Sequence, residues 1–547
     1  MGFSDLSPRD LVQQLHQDPS NDVLAECAKR ITNPDTEFET RNELIKHFGT
    51  SVDATQHSWS NCIGGETCHP TEILCPRSLN DLLSAVKTAQ SNKSTMRAVG
   101  SGHSFSDVSP TDGILLDPHK MNQVLKIDTT VLKDPSSVSG LVSVESGITI
   151  ANLNSYLDSQ DVALANMGAY DGQTLAGAIS TGTHGTGVTF GPIASSVRAL
   201  VLVSSDGTVY QIEPSKGITD PAKFASSSNP YKVQLKQDDD WFNTTLVAMG
   251  CTGLIYSYMI GVVPAFHLQE FRKAYTWDEL KAGLNEGASS SVLMKHRGYE
   301  INMNPYADEN GVRKCIQVTH DETSLAACGN RGILNWLGGI ISTIPGAEAI
   351  LVWALNKWPG KSLAVINDAI GALVTPRKEL NGYIDKSFKV LDVGSAVNSL
   401  KAYAMELSMP CDKSLVANVE KLLDVLAEQA KKNQYLAGPL NLRFVAESNA
   451  YLAPQANRVT CMVEMDTLVG IKTSQTLLKD YVKTKMCTPG SGIRVHWGLD
   501  LNTVTEADVR DMYPDFPKWF AIYKTLNGDG MWNNNFTNRI GISIIKE

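Results

Sequence analysis

The sequence predicts an α+β protein of two principal domains. Between 96 and 264, strand-like and helix-like runs succeed one another without the strict alternation of a doubly wound sheet. Between 412 and 482 the order is helix, strand, strand, helix, which suits a sheet with helices on one side. A third observation locates the chemistry. Arg97–Asp107 (RAVGSGHSFSD) and Leu175–Gly187 (LAGAISTGTHGTG) are crowded with Gly, Ser, Thr and His and hold few space-filling side chains.

The 547 residues suffice for two domains and terminal extensions. With 42% hydrophobic and 19% charged residues the chain reads as globular. A net charge of −10 and the lack of a basic stripe exclude a nucleic-acid surface. The boundaries read as an extension at 1–60, a first domain at 61–265, a second at 266–488 and a C-terminal segment at 489–547. The extension carries short helical patterns at Ser7–Gln17 and Glu37–Phe48. The start has acids and no signal-peptide core, and neither end shows an address signal. A cytoplasmic location is the default expectation.

In the first domain, Ser78-Leu-Asn-Asp81 resembles a capping box ahead of Leu79, Leu82, Leu83, Val86 and Ala89 at helical spacing. Strands follow at Met96–Val99, Ile114–Leu116, Val124–Ile127 and Leu141–Val144, then a helix at Thr149–Leu157. Ala199–Val203 and Thr208–Ile212 flank Asp206-Gly207, a hairpin turn signal. Trp241–Gly253 reads as a helix and Leu254–Val263 as a strand. In the second domain, Gly332–Asn356 carries Glu348 as its one charge. Pro345 and four glycines interrupt it, so buried or interfacial helices are expected before a docking surface for membrane or partner, and a true span last. Leu415, Val419, Leu422, Leu423 and Leu426 then mark an amphipathic helix, Leu440–Ala446 and Arg458–Met465 strands, and Thr473–Val482 a further helix.

Ten cysteines form no CxxC pair, and reduced structural thiols are expected. Cys62, Cys68 and Cys75, with His57 and His69 nearby, are too irregularly spaced for a zinc site, so no metal is predicted.

Glycine permits close backbone approach and positive φ, so successive N–H groups can converge on an anion, and Ser and Thr add donors. Two such stretches suggest a diphosphate held between two segments. There is no GxxxxGK[ST], and no GxGxxG between strand and helix with a following acid.

The GSGHSFSD loop, the block Gly168–Gly187 (GAYDGQTLAGAISTGTHGTG) and His496-Trp497-Gly498, in that order, resemble the vanillyl-alcohol-oxidase (PCMH-type) flavoproteins and within them the sugar-lactone and alditol oxidase group. The resemblance spans roughly Pro70–Pro264 and is patchy beyond. It implies a two-part FAD-binding domain, an α+β substrate cap and a C-terminal segment that returns to the flavin. It also implies FAD joined covalently to His103, whereas an ordinary loop histidine would only hydrogen-bond. Cofactor contacts carried over are Val99, Gly100, Ser101, Gly102, Ser104, Phe105 and Ser106 from the first stretch. From the second block come Asn166, Gly168, Asp171, Thr174, Gly177, Ser180, Thr181, Thr183, His184, Gly185 and Thr186, and beyond it Gly253 and Ile255. Thr181, Thr183, His184 and Thr186 are expected as donors to the diphosphate; His184 could equally fix the loop. Gly168 stands where oxidases of this group keep a small residue that admits oxygen, although a turn would explain glycine as well.

The substrate side departs from that group's pattern. Glu-x-Arg becomes Asn441-Leu442-Arg443, and the lysine after His-Trp-Gly becomes Leu499. Arg443 and His496 are the expected catalytic residues, His496 as the base, and Asn441 stands where the carboxylate is lost. Glu464, on the strand face of Arg458, Thr460 and Met462, is the candidate replacement, or else an exposed strand-edge acid. The expected reaction is FAD-dependent oxidation of a carbinol carbon in a sugar lactone, polyol or related alcohol, with O2 as acceptor and H2O2 as product. The alternatives are a flavin dehydrogenase with another acceptor, a larger or less polar substrate, and a flavin-binding protein without turnover.

Overall fold

The computed structural model describes residues 51–53, 58–329, 352, 355–372, 382–393 and 401–544. The expected helices in 1–50 and almost all of the 332–356 insertion lie outside the described residues. Among the described residues no helix is long and apolar enough to cross a membrane.

After a short antiparallel sheet of Ser51–Asp53, Ser58–Ser60 and Thr67–Cys68 comes a small parallel sheet: β1 (Glu72–Leu74), β2 (Met96–Ala98) and β3 (Ile114–Leu116), in the order β1-β3-β2. Between β1 and β2 runs α1 (Leu79–Asn92), capped by Ser78 and burying Leu79, Leu82, Val86 and Ala89 as its spacing requires. The second sheet has six strands, β4 (Val124–Leu125), β5 (Leu141–Glu145), β6 (Val197–Val203), β7 (Val209–Glu213), β8 (Gln234–Gln237) and β9 (Leu254–Gly261), ordered β8-β7-β6-β9-β5-β4. β6 and β7 form the expected hairpin, with Gly207 at φ 84° in its turn. α2 (Ile150–Ser159) and α3 (Leu175–Thr181) join its core.

α4 (Asp239–Leu246) is shorter than the expected Trp241–Gly253 helix. It ends where Val247 leaves helical geometry at φ −101°, ψ 84°, and Met249 and Gly250 then turn to φ 49° and 70°, so the helix does not resume. Arg97 collects the carbonyls exposed there. Its guanidinium donates to Gly250 O at 3.2 Å, to Trp532 O at 3.0 Å, and to Met249 O and Val108 O, in a site where Arg97 is 1% exposed.

The third sheet has eight antiparallel strands: β10 (His267–Thr276), β11 (Gly298–Met303), β12 (Lys314–Thr323), β13 (Tyr383–Lys386), β14 (Ala402–Pro410), β15 (Leu440–Val445), β16 (Thr460–Leu468) and β17 (Arg494–Val495). Their order is β13-β10-β12-β11-β15-β16-β14-β17. Alternation sends Leu442, Phe444, Val463, Met465, Met405 and Leu407 into the core shared with α5 (Leu415–Ala430), whose apolar stripe is the expected one. The other face carries Glu300, Asn302, Asn441, Arg443, Glu464 and Glu406 in adjacent registers. The helix expected at Thr473–Val482 is instead an α-turn at Lys472–Thr476 followed by a π-helical turn at Leu477–Val482.

The C-terminal segment folds back onto the first glycine stretch. Phe105 N–H donates to Gly498 O at 3.1 Å, and Asn534 Nδ2 reaches the carbonyls of Asp107, Val108 and Pro110 at 3.0–3.3 Å. Arg97 anchors both this segment and the bend after α4, so Arg97→Met strips the guanidinium donors from the carbonyls of Met249, Gly250 and Trp532, while Val108 O keeps Asn534. The variant should lose about 3–5 kcal/mol of stability, read as a markedly lowered thermal midpoint with residual FAD absorbance falling in parallel.

Candidate functional site

The first glycine stretch follows β2, and Gly102 adopts φ 66°, which only glycine takes without strain. Ser101 Oγ donates to Gly172 O at 2.7 Å, which ties this stretch to the block that leads into α3. Asn61 Nδ2 donates to Ser104 O at 3.0 Å, Ser106 Oγ to Trp497 O at 3.5 Å, and Val99 N–H to Leu116 O at 2.9 Å. A Cβ on Gly100 would fall 2.1 Å from Thr174 Oγ1, so glycine there lets the two stretches touch. His103 is half-buried, its ring 4.6 Å from that of Tyr170 and 5.6 Å from that of Phe105. Burial lowers its pKa, which favours the neutral imidazole.

The second stretch opens with Thr174 capping α3, its hydroxyl accepting from Gly177 N–H at 3.3 Å. Asp171 is buried just upstream, and its carbonyl accepts from Ala151 N–H at 2.7 Å. α3 ends at Gly182, φ 82°. The hydroxyls expected to donate to a diphosphate are mostly spent inside the protein. Thr181 Oγ1 donates to Gly177 O at 3.0 Å and Thr186 Oγ1 to Tyr299 O at 2.6 Å, while His184 binds Gly185 O and Glu406. Thr183 Oγ1, buried without a partner, is the one of the four expected donors left for a ligand. Ser180 contributes its carbonyl to Met249 N–H at 3.0 Å. Asn166 Nδ2 donates to Thr186 O at 3.3 Å, and Gly185 packs so closely that a Cβ would fall 2.3 Å from Asn166 Oδ1. A Cβ at Gly168 would fall 2.8 Å from Thr183 Cγ2, so close packing demands glycine there independently of any gas access. Gly253 and Ile255 lie elsewhere, against β6: a Cβ on Gly253 would meet Val203 O at 2.6 Å, and Ile255 pairs with Leu202.

The second stretch is joined to the cap sheet through backbone. Gly187 N–H donates to Phe444 O at 2.5 Å, and Thr186 Oγ1 accepts from Phe444 N–H at 3.4 Å. Phe444 lies between Arg443 and Val445 on β15, so this splice sets the polar sheet face against the glycine stretch.

On that face Arg443 Nη1 binds Glu464 Oε2 at 2.5 Å, and its Nε stands 3.9 Å from Glu300 Oε2. Burial opposes the charge on Arg443, but Glu464 and Glu300 outweigh it and raise its pKa. Glu464 is half-buried on an interior strand, not an exposed edge, and Arg458, expected on the same strand face, precedes β16. Asn441 Nδ2 donates to Asp466 Oδ2 at 2.6 Å. Burial and the neighbouring Glu464 push the Asp466 carboxyl well above the usual range, which favours its neutral acid.

His496 does not offer a free base. Its Nδ1 accepts from Gly498 N–H at 3.0 Å, and burial pulls its pKa down to about 4. Leu499, half-buried, follows it without a charge. Glu300, Glu406 and Asp466 were missed from sequence. Strand alternation from Glu464 on β16 could have found Asp466; Glu300 on β11 and Glu406 on β14 join the face only through strand pairing.

The cysteines considered for zinc do not cluster among the described residues; Cys75 instead lies near Asp117 and His119. A second ligand-like group, His184, Glu406 and His496, has its ring nitrogens committed to hydrogen bonds.

Two glycine stretches meeting at a buried junction, where Thr183 Oγ1 and Glu406 Oε1 have no partner, fit a large polar cofactor with donors and acceptors of its own. Residues 70–213 match the FAD binding domain family, and the site is that of an FAD-dependent oxidoreductase. Residues 259–540, more than half of the chain, match the D-arabinono-1,4-lactone oxidase family, and the chain belongs to that family. Similar proteins include L-gulono-1,4-lactone dehydrogenase of Mycobacterium tuberculosis, 24% identical over 490 residues that cover 88% of this chain and 98% of the relative. L-gulonolactone oxidase of Bos taurus is 26% identical over 484 residues, covering 88% and 97%. Among solved structures, cholesterol oxidase from B. sterolicum superposes with a TM-score of 0.66 over 89% of this chain and 96% of that one, at 12% identity, a likeness of fold.

The two buried histidines give opposite pH dependences. Unfolded His496 binds its proton near 6.5 and the folded residue only near 4, so its contribution makes stability rise with pH across that window. His184, whose folded pKa is raised from 6.5, contributes stability that is full below that value and lost as pH rises through the folded one. His496→Gln should therefore flatten the acid-side loss of thermal midpoint between pH 4 and 6.5. An unaltered slope would assign that loss to other groups.

Proposed function

We propose that this enzyme oxidises a carbinol carbon of a sugar lactone, polyol or related alcohol and passes the electrons to O2, giving H2O2. One observation carries this reading above the others: Arg443, paired with Glu300 and Glu464 of the neighbouring strands, sits on the strand whose backbone is spliced to the second glycine stretch. A substrate hydroxyl presented to that face meets a fixed cation and a carboxylate together. FAD, when bound, takes the hydride and returns the electrons to oxygen.

The protein residues do the rest. Arg443 orients the substrate oxygens and is itself held by two carboxylates, so its guanidinium cannot swing away. Glu464 receives the hydroxyl proton as the C–H bond breaks, in place of the carboxylate that Asn441 lacks. Asp466, kept neutral and fixed by Asn441, donates a hydrogen bond to a ring or carbonyl oxygen. His103 in the first stretch is the residue that would bond the flavin covalently, and its neutral, half-buried imidazole supports that role. Thr183 and the backbone around Gly182 and Gly185 hold the cofactor. The lactone substrates named for the relatives support a polar sugar-derived molecule, in keeping with the six polar side chains on the sheet face.

A second reading, a dehydrogenase with another acceptor, is favoured by the name of the Mycobacterium relative, as similar in sequence as the oxidases. Anaerobic reduction by aldonolactones or alditols followed by admission of air separates the two: rapid recovery of flavin absorbance supports the oxidase, and reduced protein stable in air the dehydrogenase. Arg443→Ala and Glu464→Gln should each lower the rate of anaerobic reduction about 10²–10⁴-fold while FAD remains bound. Full-rate reduction in either variant would remove that residue from the mechanism. His103→Ala should release its flavin on acid precipitation, whereas the unmodified protein should retain it; free flavin from both would rule out the covalent bond.

A further inference from the structure

Beside the unpartnered Thr183 hydroxyl lies a histidine whose surroundings dictate its charge. His184 and Glu406 are 7% and 3% exposed, out of reach of bulk water. His184 Nδ1 lies 2.9 Å from Gly185 O, and its Nε2 lies 3.2 Å from Glu406 Oε2. A carbonyl only accepts, so Nδ1 must carry a hydrogen. A neutral imidazole would then point its Nε2 lone pair at a carboxylate oxygen, which is repulsive. Only two proton placements satisfy the contact: an imidazolium against a carboxylate, or a protonated Glu406 donating to a neutral ring.

The neighbours choose between them. From the C-terminal segment, His496 presents its ring 5.7 Å from that of His184 and is itself neutral, with Nδ1 accepting from Gly498 N–H. From β16, Glu464 stands directly across from Glu406 in register, and from β15, Arg443 binds Glu464. Arg443 favours ionised Glu406 and opposes the charge on His184, though less than Glu406 favours it. Burial disfavours both charges, yet the pair overrides it: the Glu406 carboxyl drops to about 2, and the His184 pKa rises because of Glu406. Both directions favour the ion pair over the neutral pair. The position is a built one. β14 holds Glu406 from one side and the glycine stretch holds His184 from the other, with both ring nitrogens in hydrogen-bond contact.

The chain also lacks the cation that the resembled group's pattern implies after His-Trp-Gly, since Leu499 stands there. We propose that His184 is a permanently protonated imidazolium, pinned by Glu406, and that it supplies the positive charge that Leu499 cannot, stabilising negative charge on the reduced cofactor. This rests on the reading that FAD binds at the junction of the two glycine stretches. Both residues are positioning residues: Glu406 acts through His184, and His184 acts through its field.

The test reads the proton directly. In FAD-loaded, full-length protein labelled with ¹⁵N-histidine, with the His184 signals assigned by their loss in His184→Gln, both ring nitrogens should carry hydrogen at pH 7 and still do so at pH 8.5. In Glu406→Gln, His184 should revert to a single ring hydrogen by pH 8.5. The same variant should bind sulfite at its flavin at least tenfold more weakly and show a more negative flavin midpoint potential. One ring hydrogen at pH 7 in the unmodified protein would place the proton on Glu406 and overturn the inference. So would a Glu406→Gln protein with unchanged sulfite affinity and potential. Should Glu406→Gln fail to fold, the spectrum of the unmodified protein decides the charge, and Glu406→Asp, which keeps the carboxylate, should retain the doubly protonated ring. The outcomes separate this inference from the proposed reaction. A singly protonated His184 in a protein that oxidises alcohols overturns this inference alone, and a protonated His184 in a protein reduced by no alcohol overturns the reaction alone.

Discussion

The hydrogen bond from Gly187 N–H to Phe444 O, with Thr186 Oγ1 between Tyr299 O and Phe444 N–H, is the contact on which the site depends. A glycine stretch could hold an anion without it, and a sheet could display charged side chains without it. The splice makes the two register with each other. Because side chains alternate along β15, fixing the backbone of Phe444 fixes which face Arg443 and Asn441 present. A slip of one residue would bury both and turn Leu442 and Phe444 toward the cofactor. Gly187 reaches the strand at φ 128°, and a Cβ there would fall 2.4 Å from Arg297 O, so this junction tolerates no side chain.

A sheet face bearing several carboxylates is costly unless each charge is answered. Here the answers are local and paired. Arg443 serves Glu464 and Glu300, His184 serves Glu406, and burial beside Glu464 pushes the Asp466 carboxyl toward its neutral acid. Further along the same face Glu270, 2% exposed, is bound by Arg272 at 2.9 Å and His320 at 3.1 Å. Half-buried charges in fixed pairs are pre-oriented for a polar substrate, and reorganise little when it arrives.

Legibility from sequence followed the physical source of each signal. α1 and α5 were readable because their apolar residues recur at helical spacing and nothing in the fold contradicts it. The β6–β7 hairpin was readable from Asp206-Gly207. β10, β11 and β12 were not, because one face of each contributes to a polar wall: Glu270, Arg272 and Glu300 look like surface residues in a chain read one position at a time. β14 was missed for the opposite reason, being buried on both faces except at its ends, so its period was hidden. Within the glycine stretches the residue types announced a cofactor, and the match over 70–213 agrees. Which hydroxyls remain for it was not legible. Thr181 and Thr183 are alike in sequence, and only the position of the Gly177 carbonyl relative to α3 makes one spent and the other available.

The departures at Asn441 and Leu499 take on a different meaning once the sheet is assembled. Register pairs Asn441 with Glu464 and Glu464 with Glu406, so a carboxylate absent from β15 has counterparts on the next two strands. Replacing the acid at 441 with an amide costs the face no carboxylate in reach of Arg443, and it gains a donor that holds Asp466 in place. The same holds for the missing cation, since a buried imidazolium on the glycine stretch needs no flexible lysine stem and loses no side-chain entropy on fixing. Charge at such a site is a property of the assembled face, not of a motif position.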